Sequence, residues 1–327
     1  MTCTLCKSCS SLDYMATAAV MQLVAIFGVV VGLAARFWWV RQTAETRQQY
    51  SAMVWENRLY VALAVACCLY LFGAFLWHHT ELEPWTGSRR LFLFNGQMLM
   101  RQAEREAQQL LESTRSSQLD TEHPAYLRVA RVTSRLVAAN SGVDAIRDRQ
   151  WTVVVVDSPT VNAIVVPNGL VLVYVGLMSM ANDDQLAILV GHEFAHCLLR
   201  HANQLSSMRF VVAALCLVPV IPLIWALLPF GWNMLAHLCW IFVLTSCVVL
   251  PCVRSCEVEA DRIGMELAAK ACVDVKQGYR FWDEMAVIDR RPKLLWLLSM
   301  HPSNESRSRH LFSLIPSAME IQRQAAC

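Results

Sequence analysis

Gly191-His192-Glu193-Phe194-Ala195-His196 contains the pattern His-Glu-x-x-His. At about 3.6 residues per turn, positions four apart share one helix face, so the two imidazoles can reach one metal ion. Glu193 is rotated by about 100° from His192, which sets its carboxylate beside the metal and within reach of a proton on water there. Two neutral nitrogen ligands with a position left open match catalytic zinc. The helix also carries its own start signal. Asn182 is an N-cap, Gln185 stands at the capping-box position, and Asp183 and Asp184 suit the helix dipole. Leu186, Leu189, Val190, Phe194 and Cys197 carry the period on toward His201, with Cys197 off the ligand face.

Upstream lie three β-branched runs, 151–156, Asn162–Val166 and Leu170–Val175. Pro167-Asn168-Gly169 separates the last two, a hairpin signal because glycine supplies the positive φ of the turn. Leu99–Leu111 and Ala125–Ala139, the latter after Pro124, have helical periodicity. Downstream, Glu257-Val258-Glu259-Ala260-Asp261 opens a second amphipathic helix that continues through Ile263, Gly264, Leu267 and Ala271. Glu257 and Asp261 share a face, whereas Glu259 points elsewhere and reads as a solvated charge. A His-His-Glu site with a nearby carboxylate steadying a ligand histidine is the arrangement of thermolysin-type zinc sites.

The interval between these helices is unusual. No residue from 210 to 253 is charged, and one helix of that length would measure about 66 Å, roughly twice a bilayer core. Pro219, Pro222, Pro229 and Gly231 interrupt it, which suits two spans, or re-entrant halves, turning around Pro229-Phe230-Gly231-Trp232. His196 and Glu257 can share a metal only if this block returns to the side it left, so it crosses an even number of times or not at all. Two further apolar runs, Ala16–Val40 and Leu59–Trp77, reach the roughly 20-residue length of a transmembrane helix, with Trp38, Trp39 and Trp77 at their ends. The whole 327-residue chain is 56% apolar and 17% charged, against about 45–50% and about 25% in soluble domains. That excess argues against disordered, fibrous and ordinary cytosolic classes. A net charge of +2 leaves no electrostatic footprint for nucleic acid, and thirteen scattered cysteines do not make a small disulfide scaffold. The expected organisation is a tail at 1–15, two transmembrane helices with a short connection at 16–77, and a zinc metallopeptidase domain at 78–327 interrupted by a hydrophobic membrane hairpin at 210–253.

Several motifs occur together and in order: Asn162-Ala163 with Pro167-Asn168-Gly169, the 191–196 helix, Glu257-x-x-Ala-Asp261, and His301-Pro302-Ser303 through Arg307. This set resembles the membrane metallopeptidase family of the CAAX prenyl proteases and bacterial HtpX. Within that family it is most similar to the mitochondrial inner-membrane metalloendopeptidases whose activity overlaps that of the m-AAA protease. Glu259 to Gly264, Leu267 to Cys272, Phe281-Trp282 and Thr86 to Arg90 add to the likeness, which runs from about Pro84 to Ile321. The resemblance implies an α+β zincin-like (gluzincin) metallopeptidase domain, mainly helical with a small sheet, plus transmembrane helices. It implies one Zn2+ held by His192, His196 and Glu257, with Glu193 as general base and acid and Asp261 as partner of a ligand histidine. His301 and Arg307 would stand near the zinc and help hold substrate or the tetrahedral oxyanion, and the strand at Asn162 and Ala163 would accept substrate backbone by strand addition. The implied substrates are inner-membrane proteins, including a dynamin-like fusion GTPase cut under stress, in mitochondrial quality control.

The expected partners are membrane-protein substrates and the lipid bilayer, with no nucleic acid and with room for a homo-oligomer. Arg36, Arg41, Arg47 and Arg58 lie in the connection between the first two spans, and positive-inside counting puts that connection in the matrix and the zinc in the intermembrane space. Lys7 is the lone basic residue before Asp13, so the start lacks the Arg-rich look of a presequence, and the endoplasmic reticulum membrane stays open as the alternative. In function, the alternatives are a CAAX-type or HtpX-like quality-control protease of another membrane and an inactive membrane scaffold. Cys3, Cys6 and Cys9 form a C-x-x-C-x-x-C run that could bind metal, take lipid or sense redox state, but without a second cluster a terminus with no such role is the favoured reading. His237, ionisable and within the apolar block, is a functional flag.

Overall fold

The apolar runs fold as helices. In a computed structural model that describes residues 11–288, 299 and 302–327, α1 spans Ser11–Arg41, α2 Ala44–Glu56 and α3 Arg58–His78. A small hairpin follows, β1 (Thr80–Leu82) antiparallel to β2 (Arg89–Leu91). Helices α4 (Gly96–Thr114), α5 (Pro124–Ala139) and α6 (Asp144–Arg147) lead to strands β3 (Thr152–Val156), β4 (Ala163–Val165) and β5 (Leu170–Tyr174). The rest is helical: α7 (Val175–Met178), α8 (Asp183–Leu198), α9 (His201–Val212), α10 (Val218–Leu227), α11 (Trp232–Leu244), α12 (Leu250–Lys270), α13 (Lys276–Ile288) and α14 (Asn304–Gln324). Cys3, Cys6, Cys9 and His301 lie outside the described residues. The outcome is a mainly helical chain with a small sheet, as expected.

Residues 13–94 and 203–249 belong to one of two units. Among the described residues, four helical stretches are long and apolar enough to cross a membrane: Gln22–Arg41, Arg58–His78, His201–Leu227 and Trp232–Lys270. Within the unit α1 packs closely on α10, because Gly28 and Gly32 present no side chain, Gly28 toward the Ile221 side chain and Gly32 toward the Pro222 backbone. A Cβ on Gly32 would lie 2.5 Å from the Pro222 carbonyl oxygen, the close approach that small residues four apart allow between membrane helices. Pro219 and Pro222 withhold two N–H groups from the helix, and a wider π-turn at Ala213–Leu217 just precedes them. His237 accepts a hydrogen bond from Trp225 Nε1 at 3.1 Å, so this ionisable group ties α11 to α10. Gly231, at φ +92°, stands in the turn before α11.

The other unit holds 95–202 and 250–327. Its sheet has the order β3-β5-β4, with β3 parallel and β4 antiparallel to β5. The β4–β5 hairpin turns at Gly169, φ +102°, where a Cβ would also lie 2.0 Å from the Gln150 carbonyl oxygen. The turn therefore needs glycine for its dihedral and for space. α4 covers the sheet with Ala103 and Ala107 against Val156, Ile164, Val166, Leu170 and Leu172. α8 starts in the expected capping box, with Asn182 Oδ1 accepting from Gln185 N at 2.8 Å and Gln185 Oε1 from Asn182 N at 2.9 Å. It ends at Leu198 rather than continuing to His201, because Arg200 adopts φ +53° and breaks the helix.

Glu257 does not open a helix. α12 begins at Leu250 and the helical path is continuous from Trp232. Residues 232–256 contain no glycine to stop it. Pro251, which would clash with a regular preceding turn, follows the wider π-turn Thr245–Val249. A disulfide joins Cys272, just after α12, to Cys327, after α14, a pairing that the scattered cysteines do not advertise.

Candidate metal centre

α8 is buried from Gln185 to His196, so His192 and His196 project into protein. His192, His196 and Glu257 each offer one donor atom, all within 4.8 Å of one another. The two Nε2 atoms are 3.1 Å apart. Glu257 places Oε2 3.8 Å from His192 Nε2 and Oε1 3.4 Å from His196 Nε2. Nitrogen donors around a tetrahedral zinc at about 2.0–2.1 Å lie about 3.3 Å from one another, which this spacing accommodates.

The remaining ring nitrogens decide which atoms are left to bind. His192 Nδ1 lies 2.9 Å from Asp261 Oδ1. Burial alone would push the Asp261 carboxyl up, but the Arg307 guanidinium and the His192 hydrogen bond outweigh it and hold the group below its ordinary range. An ionised carboxylate only accepts, and at 2.9 Å it is the nearer neighbour of Nδ1 than the Arg307 Nη2 donor at 3.1 Å, which favours the His192 proton on Nδ1 and the Nε2 lone pair toward His196. His196 in turn has Nδ1 2.9 Å from His201 Nδ1. Two lone pairs and a carboxylate converging on one buried point repel unless a cation sits among them. The donor set therefore fits a divalent metal.

Arg307 arrives from α14. Ser303 caps that helix by accepting from Ser306 N at 3.2 Å, and Asn304 Nδ2 donates to the Met285 carbonyl at 3.2 Å, so the first turn is docked on α13. Arg307 Nε donates to Asp261 Oδ2 at 3.0 Å and Nη2 to Oδ1. The guanidinium lies 3.9 Å from the centroid of the Trp282 ring, and Nη1 lies 3.8 Å from Glu257 Oε2.

The two ligand-bearing helices cross where each has a glycine. A Cβ on Gly264 would meet His192 Cα and N at 2.6 Å, and one on Gly191 would meet the Gly264 carbonyl oxygen at 2.9 Å. The obstacles are backbone atoms, which cannot swing aside. Gly264→Ala should destabilise the chain by about 1–3 kcal/mol or more through overpacking, read as a fall in melting temperature. An unchanged melt would show that the helices can separate without cost.

Of the residues singled out in the sequence, His192, His196, Glu257, Asp261 and Arg307 come together here, and Glu193, 4% exposed, follows His192 on α8. Ala163 begins β4, at the edge of the sheet, with Asn162 just before it. The buried Asn162 Oδ1 has no hydrogen-bond partner among the described residues. Cys197 Sγ turns to the Val165 carbonyl at 3.3 Å, off the metal. Glu259 is not simply a solvated charge: its Oε2 lies 3.3 Å from His201 Nε2, with its side chain 27% exposed. His201 and the role of Trp282 were missed, because the apolar period of α8 runs on toward His201 and the break comes from the backbone at Arg200.

The comparisons with known proteins agree with this geometry. Residues 126–315 match the model of the family described as peptidase family M48. The chain is 34% identical over 309 residues to "Metalloendopeptidase OMA1, mitochondrial" of Danio rerio, covering 92% of this chain and 64% of that protein. It is 33% identical over 309 residues to the Homo sapiens protein of the same name, covering 92% and 58%. With "Mitochondrial metalloendopeptidase OMA1" of Schizosaccharomyces pombe it shares 31% over 257 residues, covering 78% and 72%. The chain thus spans about six-tenths of the length of the vertebrate relatives. The family match covers the sheet, both ligand-bearing helices and Arg307, and the chain belongs to peptidase family M48.

Proposed function

We propose that this chain is a zinc-dependent metalloendopeptidase that cleaves membrane proteins at the mitochondrial inner membrane. The observation that carries this reading is the buried donor set of His192, His196 and Glu257 with Glu193 beside it on α8. The names of the relatives support the activity and the compartment, and the four apolar helices support the membrane. The domain is read as a zincin-like gluzincin, two ligands on one helix and an acidic third on the next.

Zinc held by His192, His196 and Glu257 would supply Lewis acidity toward a peptide carbonyl. The chain's own groups do the rest. Glu193 takes the proton from attacking water and returns it to the leaving amine. Asp261 fixes the ring of His192, and Arg307 neutralises Asp261 while adding positive charge on the side where an oxyanion develops. His301 would join it there. Substrate in extended form would add to the edge strand β4, which begins at Ala163 just after Asn162.

The block 210–253 would form a hairpin in the bilayer within the 78–327 domain, and the Arg-rich connection between the first spans would face the matrix, with the zinc toward the intermembrane space. The substrates would be membrane proteins under quality control, the dynamin-like fusion GTPase implied by the resemblance among them, and the chain could act as a homo-oligomer.

The test is metal content and cleavage of that GTPase by the purified full chain in nanodiscs. Wild type should hold one zinc per chain and lose cleavage to a strong chelator, and His196→Ala should lose most of both. Zinc-free wild type that still cleaves would overturn the reading.

A further inference from the structure

His192 has an obvious support: Asp261, 2.9 Å from its Nδ1. At the equivalent place, Nδ1 of His196 faces another imidazole. His201 Nδ1 lies 2.9 Å from His196 Nδ1, with the rings nearly perpendicular at 76°. His201 is completely buried, and its far nitrogen, Nε2, lies 3.3 Å from Glu259 Oε2. We propose that Glu259 and His201 form a relay that fixes the ring and tautomer of His196, doing in two steps for the second ligand what Asp261 does in one for the first.

The inference rests on the metal reading of the site, and the direction of each contact follows from it. His196 Nε2 is the atom that faces His192 Nε2 and Glu257. If that atom binds metal, a neutral His196 carries its proton on Nδ1 and donates it. His201 Nδ1 must then accept, because two N–H groups cannot face each other at 2.9 Å. A neutral His201 whose Nδ1 accepts has its proton on Nε2, the atom 3.3 Å from the Glu259 carboxylate, a charge-assisted contact whose angle falls outside hydrogen-bond geometry. Each proton in the line then has one place to be, and the Glu259 carboxylate favours that arrangement electrostatically from the outer end.

The backbone explains why His201 is in position. On an unbroken helix, a residue five places on would point about 140° away from His196. The left-handed conformation of Arg200, φ +53°, ends α8 and brings His201 back against the ligand before α9 begins. Glu259 lies two residues from Glu257 on α12 and faces away from the metal, toward His201. The helix that supplies the third ligand therefore also braces the second. His201 and Glu259 are positioning residues: neither is placed on the metal.

The experiment uses full chain in nanodiscs, with Zn2+ affinity measured by chelator competition, the visible spectrum of the Co2+-loaded chain, and the melting temperature of the metal-free chain. His201→Leu should weaken Zn2+ by about 10–100-fold, the range for lost outer partners of ligand histidines, and alter the Co2+ bands. Glu259→Ala should weaken it by less. In the His201→Leu background, Glu259→Ala should cost nothing more, because its effect passes through His201. His201→Gln should recover most of the affinity and the wild-type bands, since the amide oxygen can accept from His196 Nδ1. A purely structural role would shift the metal-free melt without this pattern. If His201→Leu fails to fold, the His201→Gln chain with and without Glu259→Ala carries the same comparison. Unchanged affinity and spectra in chains that bind Zn2+ as wild type overturn the relay alone, as do independent, additive losses. A wild-type chain that takes up no Zn2+ overturns the relay and the metal reading together.

Discussion

Glu193→Gln should lower kcat/KM by about 10²–10⁴-fold, the range for loss of a general acid–base group, while the chain still holds one zinc. The substitution keeps the shape of a side chain that is 4% exposed and one residue from a ligand, so packing and the donor triangle survive. What it removes is the ability to accept a proton, because an amide oxygen is a very poor base and the amide nitrogen only donates. Folding should not suffer, since a buried carboxylate is replaced by a neutral group. Cleavage and metal content measured on the same preparation separate the two functions. Proteolysis near the wild-type rate in Glu193→Gln would remove Glu193 from the chemistry and send the search for a base elsewhere.

Arg307→Met should destabilise the chain by about 3–5 kcal/mol, the cost of stranding one partner of a buried ion pair. Both side chains are 3% exposed, and Arg307 grips both oxygens of Asp261. Without the guanidinium, the Asp261 carboxylate would keep only the His192 hydrogen bond against its burial, and a loss of that size is a large part of a typical 5–15 kcal/mol margin. The methionine chain lies over Trp282 much as the arginine does, so lost packing is a minor part of the effect. Adding Asp261→Asn should recover much of the loss, because the stranded charge is then gone. Thermal melts of the single and double variants give the comparison; a double variant less stable than Arg307→Met would mean that Asp261 works mainly as an oriented acceptor and not as a charge needing a partner.

Local signals made much of the fold legible. The capping box at Asn182 and Gln185, the turn that needs Gly169, and the long uncharged runs each depend on residues close in the chain, and each took the expected form. The meeting of His192, His196 and Glu257 was legible because four-residue spacings on α8 and α12 put His192 with His196 and Glu257 with Asp261. Features that depend on how helices meet were not. The start of α12 was misplaced because an apolar stretch without glycine hides the join between membrane helix and ligand helix. His201 and Glu259 lie on the wrong faces for regular helices, and only the dihedral of Arg200 makes them partners. The Cys272–Cys327 bridge and the role of Trp282 depend on the packing of α12, α13 and α14, which no periodicity reports.

The bare crossing of α8 and α12 bears on what kind of metalloprotein this is. Where Gly191 and Gly264 touch, main chain rests on main chain, and the gap between the ligand-bearing helices is set like the gap of a calliper, by rigid parts in contact. Small zinc modules need the ion in order to fold, and their metal affinity is folding energy. Here main-chain contact at Gly191 and Gly264 sets the helix spacing, so binding a metal between the helices should order little chain. On the zinc reading, stripping the ion with a chelator should leave the fold in place.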